Sequence, residues 1–234
     1  MKTLVIPDVH LKITKLKAIL DKHKDQDETI FLGDWFDSFP SKQASLPHTI
    51  EWLNENVTNP ACRFLFGNHD LQYAYPDIDG LKCSGWTWSN DMQIRTSLTP
   101  GVFDSFSFIE VAQGWAISHA GIHPSMMPPH DEPTEDLIHR IEYRAFAALG
   151  LGGVYPAIGA GRGRGGNQAV GGVTWLDWDR EFEAIPGVNQ IVGHSHGKEP
   201  RAIRTKDSEN WCIDTGLKHI AVIEDGIVTI EMVQ

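Results

Sequence analysis

The heptapeptide LFGNHDL, residues 65–71, joins a hydrophobic run to polar side chains that could bind a ligand. Leu65 and Phe66 have the character of a buried strand, whereas Asn68 and His69 are residues that neither a buried strand nor a packed helix face favours. A hydrophobic run that stops at such residues is typical of a strand that ends at a binding site.

The same pattern occurs four more times along the chain. The other runs are VIPDVH (5–10), IFLGDWFD (30–37), AISHAG (116–121) and QIVGHSH (190–196). They deliver Asp8, His10, Asp34, Asp37, His119, His194 and His196 just past their apolar residues. In an open α/β sheet the ligand lies outside the carboxyl ends of the strands, so these five ends are expected to converge on one site.

Apolar residues at helical spacing alternate with the first strands. The pattern predicts strands at 4–6, 29–32 and 63–66, with helices through 13–20 and 50–57. This alternation favours a parallel βαβ arrangement. We predict an α/β fold in which a central mixed sheet, or a β-sandwich-like core, is flanked by helices.

The remainder of the chain is less regular. Residues 72–101 have no sustained period and are interpreted as an inserted cap or long loop, and residues 150–172 contain too much glycine for a regular element. A helix is predicted over 135–149 with Thr134 as its N-cap. Asp225–Gly226 between two apolar runs predicts a β-hairpin.

Composition limits the class of protein. At 234 residues and 41% hydrophobic content, the chain is expected to form a single domain over residues 1–234. Its net charge of -11, without a basic cluster, argues against long nucleic acid as a partner. No apolar stretch reaches the length of a membrane span, and the start of the chain lacks a signal-peptide core. We therefore expect a cytoplasmic protein that does not insert into membranes.

The three cysteines, Cys62, Cys83 and Cys212, are far apart and form no CxxC pair. This usage fits a reducing compartment and argues against a zinc site built from thiolates. We interpret all three as small buried hydrophobic residues.

The polar residues at the strand ends form a plausible ligand set for metals. Divalent Mn, Fe and Zn accept mixed oxygen and imidazole ligands, and a two-metal centre needs a carboxylate that bridges both ions. Taken singly, Asp8 would be a turn residue and His119 a core histidine. The seven candidates together, Asp8, His10, Asp34, Asn68, His119, His194 and His196, exceed what one metal would use.

In order along the chain, the motifs D-x-H, G-D-x-x-D, G-N-H-D, a lone His and G-H-x-H resemble those of the calcineurin-like metallophosphoesterase superfamily. SHAGIHP and NWCIDTG resemble its protein-phosphatase-like and dinucleotide-polyphosphatase-like branch. The resemblance implies a metallophosphoesterase fold with two divalent metal ions, Mn²⁺ first, with Fe, Zn, Ni or Co as alternatives.

The resemblance also implies a role for each motif residue. Asp8, His10 and His196 would hold one metal, Asn68, His119 and His194 the other, and Asp34 would bridge them. His69 would face the substrate as the catalytic acid, steadied by Asp37, because an imidazolium held by a carboxylate can protonate a leaving alkoxide near neutral pH. A metal-bridging hydroxide would attack the phosphate ester.

Three positions depart from that branch: Leu11 replaces glycine, Ser38 replaces arginine and Asp70 replaces glutamate. The missing arginine leaves the substrate phosphate without a guanidinium. We therefore expect Arg162 or Arg164, in the glycine-rich loop, to bind the phosphate, with Arg164 favoured.

A phosphomonoesterase acting on a phosphorylated protein or small molecule is the leading functional hypothesis. A phosphodiesterase or nucleotide pyrophosphohydrolase with the same dinuclear site is the alternative, and a non-catalytic scaffold is a third. The oligomeric state stays open.

Four residues near the motifs received other interpretations. Asp70 is expected to be a helix N-cap, and Trp175 a core residue. His123 is a surface or core histidine that could instead line the site. The basic residue before the last metal motif is Arg180 or absent.

Overall fold

The computed structural model of the chain describes residues 1–39, 45–127 and 135–233. Its strands are β1 Lys2–Ile6, β2 Glu28–Phe31, β3 Cys62–Leu65, β4 Phe106–Ser107, β5 Ile109–Ala112, β6 Trp115–Ser118, β7 Asn189–Val192, β8 Arg201–Arg204, β9 Glu209–Cys212, β10 His219–Glu224 and β11 Ile227–Met232. Its α-helices are α1 Ile13–Lys22, α2 Leu46–Asn56, α3 Asn68–Ala74, α4 Trp88–Ser97 and α5 Glu135–Gly150. No helix in these ranges combines the length and apolar character needed to cross a bilayer.

The strands form two mixed sheets, which confirms the predicted α/β class. One sheet has the order β11-β10-β1-β2-β3-β4, in which β1 to β4 run parallel and the hairpin β10–β11 joins β1 antiparallel. The other has the order β5-β6-β7-β9-β8, in which β6, β7 and β9 run parallel. Each sheet therefore supplies parallel strands whose carboxyl ends lie at one edge.

Successive residues of each strand point to opposite faces of the first sheet, and a separate hydrophobic core lies on each face. Val5, Ile30 and Leu65 point to a buried cluster shared with Ile117 and Ile191 of the second sheet. Their strand neighbours, on the opposite face, join the larger core that contains the buried helix residues. This arrangement is a β-sandwich flanked by helices, as the alternating strand and helix patterns predict.

The segment 72–101 contains more structure than its sequence pattern indicates. It includes α4, which lies against α2 and α3, and the Thr87 hydroxyl caps this helix by accepting the Asn90 N–H at 3.1 Å. Of the residues in α4, only Asp91 and Ile94 are buried. The sequence pattern does not indicate this helix, because a buried face of two residues leaves no amphipathic period.

The predicted C-terminal hairpin and the glycine-rich loop are both present. Asp225 and Gly226 form the hairpin turn with φ values of 52° and 79°, the left-handed pair that such a turn requires. Residues 150–172 are loop apart from the end of α5 and one 3₁₀ turn at Arg162–Arg164. The helix predicted over 135–149 is α5, whereas its proposed N-cap Thr134 lies outside the described residues.

Candidate metal centre and active site

The ends of β1, β2, β3, β6 and β7 meet at one edge of the sandwich. The carboxylate of Asp8, after β1, accepts the backbone N–H of His194, after β7, at 3.0 Å, although these residues lie 186 positions apart. His119, after β6, reaches the loop after β2 through the Leu32 carbonyl at 2.8 Å. Both sheets therefore contribute side chains to the same site.

Left-handed backbone conformations accumulate at these strand ends. The residues are His10, Leu11, Asp34, Asp37 and His194, with φ between 43° and 62°. Non-glycine residues rarely adopt such values, and surrounding interactions must hold them. The backbone therefore turns sharply after β1, β2 and β7, which aims the side chains into the site.

One group of ligand atoms comprises Asp8, His10 and Asp34, which lie within 4.8 Å of one another. His10 Nδ1 is 3.2 Å from the Asp37 carbonyl, which can only accept, so Nδ1 carries the hydrogen. Its unprotonated Nε2 then faces Asp34 Oδ2 at 3.6 Å and Asp8 Oδ2 at 3.9 Å. Three electron-pair donors that face one another fit a cation.

The second group comprises Asp34, His119 and His194. His119 Nδ1 donates to Leu32, which leaves Nε2 as an acceptor. This atom lies 3.1 Å from both Asn68 Oδ1 and His194 Nδ1. Burial lowers the pKa of His119 and of His194, which favours the neutral imidazoles that can donate electron pairs to a metal. We call Asp8, His10, Asp34, Asn68, His119 and His194 the ligand wall.

Asp34 is common to both groups. Its Oδ1 accepts the backbone N–H of His69 at 2.9 Å, and its Oδ2 lies 3.6 Å from the Nε2 atoms of both His10 and His119. Burial opposes ionisation of Asp34, but the surrounding imidazoles, led by His119, hold its pKa below the usual value. An ionised carboxylate with one oxygen between the two groups has the position of a bridging ligand.

The pKa of Asp8 is shifted in the opposite direction from that of Asp34. Burial, together with the charges of Asp214 and Asp34, raises the pKa of Asp8 well above its usual value. Such mutual repulsion among buried carboxylates is relieved by bound cations. The donor set therefore fits divalent metals on both electrostatic and geometric grounds.

His69 and Asp37 form a pair beside the ligand wall. His69 Nδ1 lies 2.9 Å from Asp37 Oδ2, and Asp37 is also bonded by Gln72 Nε2 and the Tyr73 hydroxyl, each at 2.5 Å. Burial would lower the pKa of His69, yet the charge of Asp34 and the hydrogen bond to Asp37 raise it to about 11. The imidazolium is thus stable in this position and lines the cleft described below.

His196 lies apart from the two close ligand groups. Its Nδ1 is 3.3 Å from Asp214 Oδ2, and this hydrogen bond raises the pKa of His196. Asp214 was not among the predicted site residues, although it follows β9 in the same way as the predicted ligands follow their strands. The motif NWCIDTG contained this signal.

Asp70 corrects one interpretation of the sequence. Gly67, rather than Asp70, is the N-cap of α3. The buried Asp70 carboxylate accepts the N–H groups of Asp34 and Trp35 at 2.8 Å and that of Gly67 at 2.9 Å. It holds the strained turn that carries Asp34. Burial and the charge of Asp34 raise the pKa of Asp70 to about 8.

Cys62, Cys83 and Trp175 differ from expectation, whereas His123 agrees with its interpretation as a surface or core histidine. Cys62 and Cys83 are half-buried, which leaves Cys212 as the one buried cysteine of the three. The Sγ atom of Cys83 lies 3.5 Å from His69 Nδ1. Trp175 lines the cleft instead of the core, with its ring centroid 5.6 Å from that of His194. His123 is turned towards Glu183 at 3.8 Å and does not line the cleft.

A cleft of about 740 Å³ opens above the ligand wall. Arg164 lines it, and its guanidinium is held by Asp177 Oδ2 at 2.7 Å and Ser195 Oγ at 2.8 Å. Arg180 also lines the cleft, whereas Arg162 is exposed and does not. We call residues 161–171, which carry Arg164, the arginine loop.

The α/β sandwich, with candidate metal ligands at its strand ends, is the fold of a metallophosphoesterase. A family model for calcineurin-like phosphoesterases matches residues 1–198, and the chain belongs to this family. No curated protein is significantly similar in sequence. Family membership confirms the resemblance drawn from the five motifs and, at the level of reaction class, the expected hydrolysis of phosphoesters.

Solved structures with this fold include several phosphatases. A cold-active protein-tyrosine phosphatase from a psychrophilic Shewanella species aligns with a TM-score of 0.61 and 13% identity, over 98% of this chain and 80% of that one. A protein serine/threonine phosphatase from Saccharomyces cerevisiae gives 0.54 and 13%, over 99% and 79%. A putative diadenosine tetraphosphatase gives 0.53 and 12%, over 99% and 93%. At these identities the likeness concerns the fold alone.

Proposed function

We propose that this chain is a phosphomonoesterase that depends on two divalent metal ions. The observation that carries the proposal is the position of Asp34, whose Oδ2 lies 3.6 Å from one imidazole of each ligand group while its Oδ1 fixes the backbone of His69. A bridging carboxylate next to a proton donor supports hydrolysis of esters whose leaving group needs a proton.

In this proposal Asp8, His10 and His196 would hold one metal, Asn68, His119 and His194 would hold the other, and Asp34 would serve both. When bound, two divalent cations lower the pKa of a coordinated water and neutralise phosphoryl oxygens. The charge of Asp214 opposes ionisation of Asp8, and bound cations would allow both carboxylates to be ionised.

The remaining roles belong to side chains that need no metal. His69 would give its proton from Nε2 to the departing oxygen, because Nδ1 is engaged by Asp37. Asp37, fixed by Gln72 and Tyr73, would keep the ring in that orientation. Arg164 would bind a phosphate oxygen with the donors that Asp177 and Ser195 leave free, since a guanidinium carries five N–H groups.

Manganese is the metal we propose first, because the ligands combine carboxylate and amide oxygens with imidazoles and include no thiolate. We further propose a cytoplasmic location, for which the three free thiols are the support, since such usage fits a reducing compartment.

The experiment is a hydrolysis assay on protein stripped of metal and then titrated with Mn²⁺, Fe²⁺, Zn²⁺, Ni²⁺ or Co²⁺. We expect activity to rise to a plateau at two equivalents, with p-nitrophenyl phosphate turned over faster than bis(p-nitrophenyl) phosphate. A preference for the bis ester would instead indicate a phosphodiesterase. Absence of hydrolysis with every metal, despite binding of two equivalents, would indicate a scaffold.

A further inference from the structure

A large apolar side chain stands at the mouth of the cleft beside the proton donor. Phe39 is 53% exposed and lines the cleft. Its ring centroid lies 5.7 Å from those of both His69 and His10, with the ring planes nearly perpendicular. The two imidazoles are themselves 5.3 Å apart, so the three rings form a compact triangle.

The edge-to-face contacts with the imidazoles fix the ring while much of its surface stays open. An exposed phenyl ring gains little from the hydrophobic effect until another apolar surface covers it. A substrate bound in the cleft would cover the Phe39 ring, because Phe39 lines the cleft together with His69, Asn68 and Asp34.

The position of His69 decides which part of the substrate Phe39 would meet. In the proposed function, on which this inference rests, His69 protonates the ester oxygen, so the group attached to that oxygen lies next to the imidazole. Phe39 is the apolar residue of the cleft within ring-contact distance of His69. The leaving group would therefore lie against the phenyl ring.

We propose that Phe39 is a specificity-determining residue and that the preferred substrates are phosphomonoesters of aromatic alcohols. A flat aryl group can stack on, or meet edge to face, the open surface of Phe39, whereas a short alkyl chain covers less of it. Water adds to phosphorus, the bond between phosphorus and the aryl oxygen breaks, and that oxygen takes a proton. The products are a phenol and inorganic phosphate.

The experiment compares phenyl phosphate with n-butyl phosphate in the wild type, Phe39→Ala and Phe39→Trp. Dividing each variant's kcat/KM by that of the wild type, on the same ester, removes the intrinsic difference between the leaving groups. We expect Phe39→Ala to lose about 10-fold on phenyl phosphate and less than about twofold on butyl phosphate, a difference typical of one aromatic contact. Phe39→Trp should retain the wild-type preference.

Tyr143→Ala is the matched control, since Tyr143 is an aromatic residue on α5 with 74% exposure and lies outside the cleft. It should behave as the wild type on both esters. Equal losses in Phe39→Ala on the two esters, or no loss on either, would overturn the inference while leaving the phosphatase assignment intact.

A binding measurement separates this inference from the proposed function. Calorimetry on the metal-loaded protein with phenylphosphonate and n-butylphosphonate needs no turnover. We expect the wild type to bind phenylphosphonate about 10-fold more tightly, and Phe39→Ala to lose that difference. Equal affinities in the wild type would overturn the role of Phe39, whatever the hydrolysis assay gives.

Discussion

The ligand wall and the arginine loop face the same cleft but are held in place by different means. Each residue of the ligand wall follows a strand directly or nearly so, and its backbone is fixed by the sheet and by buried carboxylates such as Asp70. The arginine loop is held by side chains of a following segment: Glu181 accepts the N–H groups of Gly163 and Gly171 at 2.8 and 3.0 Å, and Arg180 donates to the Gly163 carbonyl at 2.7 Å. The comparison separates the proposed metal binding, which would depend on the sandwich, from the proposed substrate binding, which would depend on a loop.

This difference predicts that substitutions in the two regions change different measured quantities, metal content in one and KM in the other. A change in the ligand wall should alter metal content, because its side chains face one another across the candidate metal positions. A change in the arginine loop should alter KM and leave the metals in place. The four predictions that follow test this separation.

Asp34→Asn should have the largest effect. Removal of the one carboxylate shared by both groups leaves two cations poorly neutralised at close range. We expect loss of metal and a fall in turnover beyond about 10⁴-fold, more than the loss of a general acid alone. Metal analysis after gel filtration measures the first effect and phosphate release the second.

Asp21→Asn is the control, because Asp21 is an exposed carboxylate with 73% of its side chain accessible. It should bind two equivalents and retain full activity. The same behaviour in Asp34→Asn would refute the two-metal assignment.

His69→Asn should retain the metals and lose turnover. A positioned general acid contributes about 10²- to 10⁴-fold, and the loss should be largest for alkyl esters, whose leaving group most needs a proton. Kinetics on butyl phosphate and p-nitrophenyl phosphate measure the difference. Similar losses on both esters would assign His69 a role other than proton donation.

Two variants sharpen the assignment of His69. His139→Asn, at a half-exposed histidine of α5, should leave the kinetics unchanged. Asp37→Asn should give a milder version of the His69→Asn pattern, because the imidazole remains but loses its charged partner.

Arg164→Ala should raise KM for phosphomonoesters about 10-fold, the usual worth of a hydrogen bond to a charged group. Metal content and Tm should stay at wild-type values. Arg162→Ala is the matched control on the same turn and should leave KM unchanged, since its side chain is outside the cleft. The double variant should equal Arg164→Ala. A KM effect from Arg162 instead would reverse the assignment within the loop.

Glu181→Ala should have the smallest kinetic effect, a rise in KM of about threefold. The loop loses the hydrogen bonds from Gly163 and Gly171, but Arg164 keeps its bonds to Asp177 and Ser195. The unpaired N–H groups cost about 1–3 kcal/mol, which lowers Tm by roughly 2–12 °C in a chain of this size. Glu183→Ala, at a carboxylate with 71% exposure, is the control. An unchanged Tm would contradict the anchoring role of Glu181.

The ligand wall could be predicted because its signal is local in sequence. At Asp8, Asp34 and Asn68 an apolar run of strand length ends within three residues of the ligand, and parallel strands bring such ends together. The helix α4 could not be predicted in the same way, because most of its residues are exposed and carry no period.

The misassigned residues act through partners that are distant in sequence. Asp70 looks like a cap beside α3, but two of its three hydrogen bonds reach back 35 and 36 residues to the turn of Asp34. The contacts of Arg164 with Asp177, and of Glu181 with Gly163, also join different segments. Composition alone could not predict these pairs. Such contacts are set by tertiary packing rather than by local pattern.

The hydrogen bond that joins Asp8 to His194 has a consequence for how the molecule assembles. Asp8, His10 and Asp34 all belong to the first βαβ unit, so loop closure costs little entropy in bringing them together. The other group requires His194, whose backbone is tied to Asp8 across 186 residues. During synthesis Asp8, His10 and Asp34 leave the ribosome long before His194, and the second candidate group forms only when the two sheets close on each other. Nascent chains would therefore bring these three side chains together before either proposed cation position is complete, since one also requires His196 and the other His194.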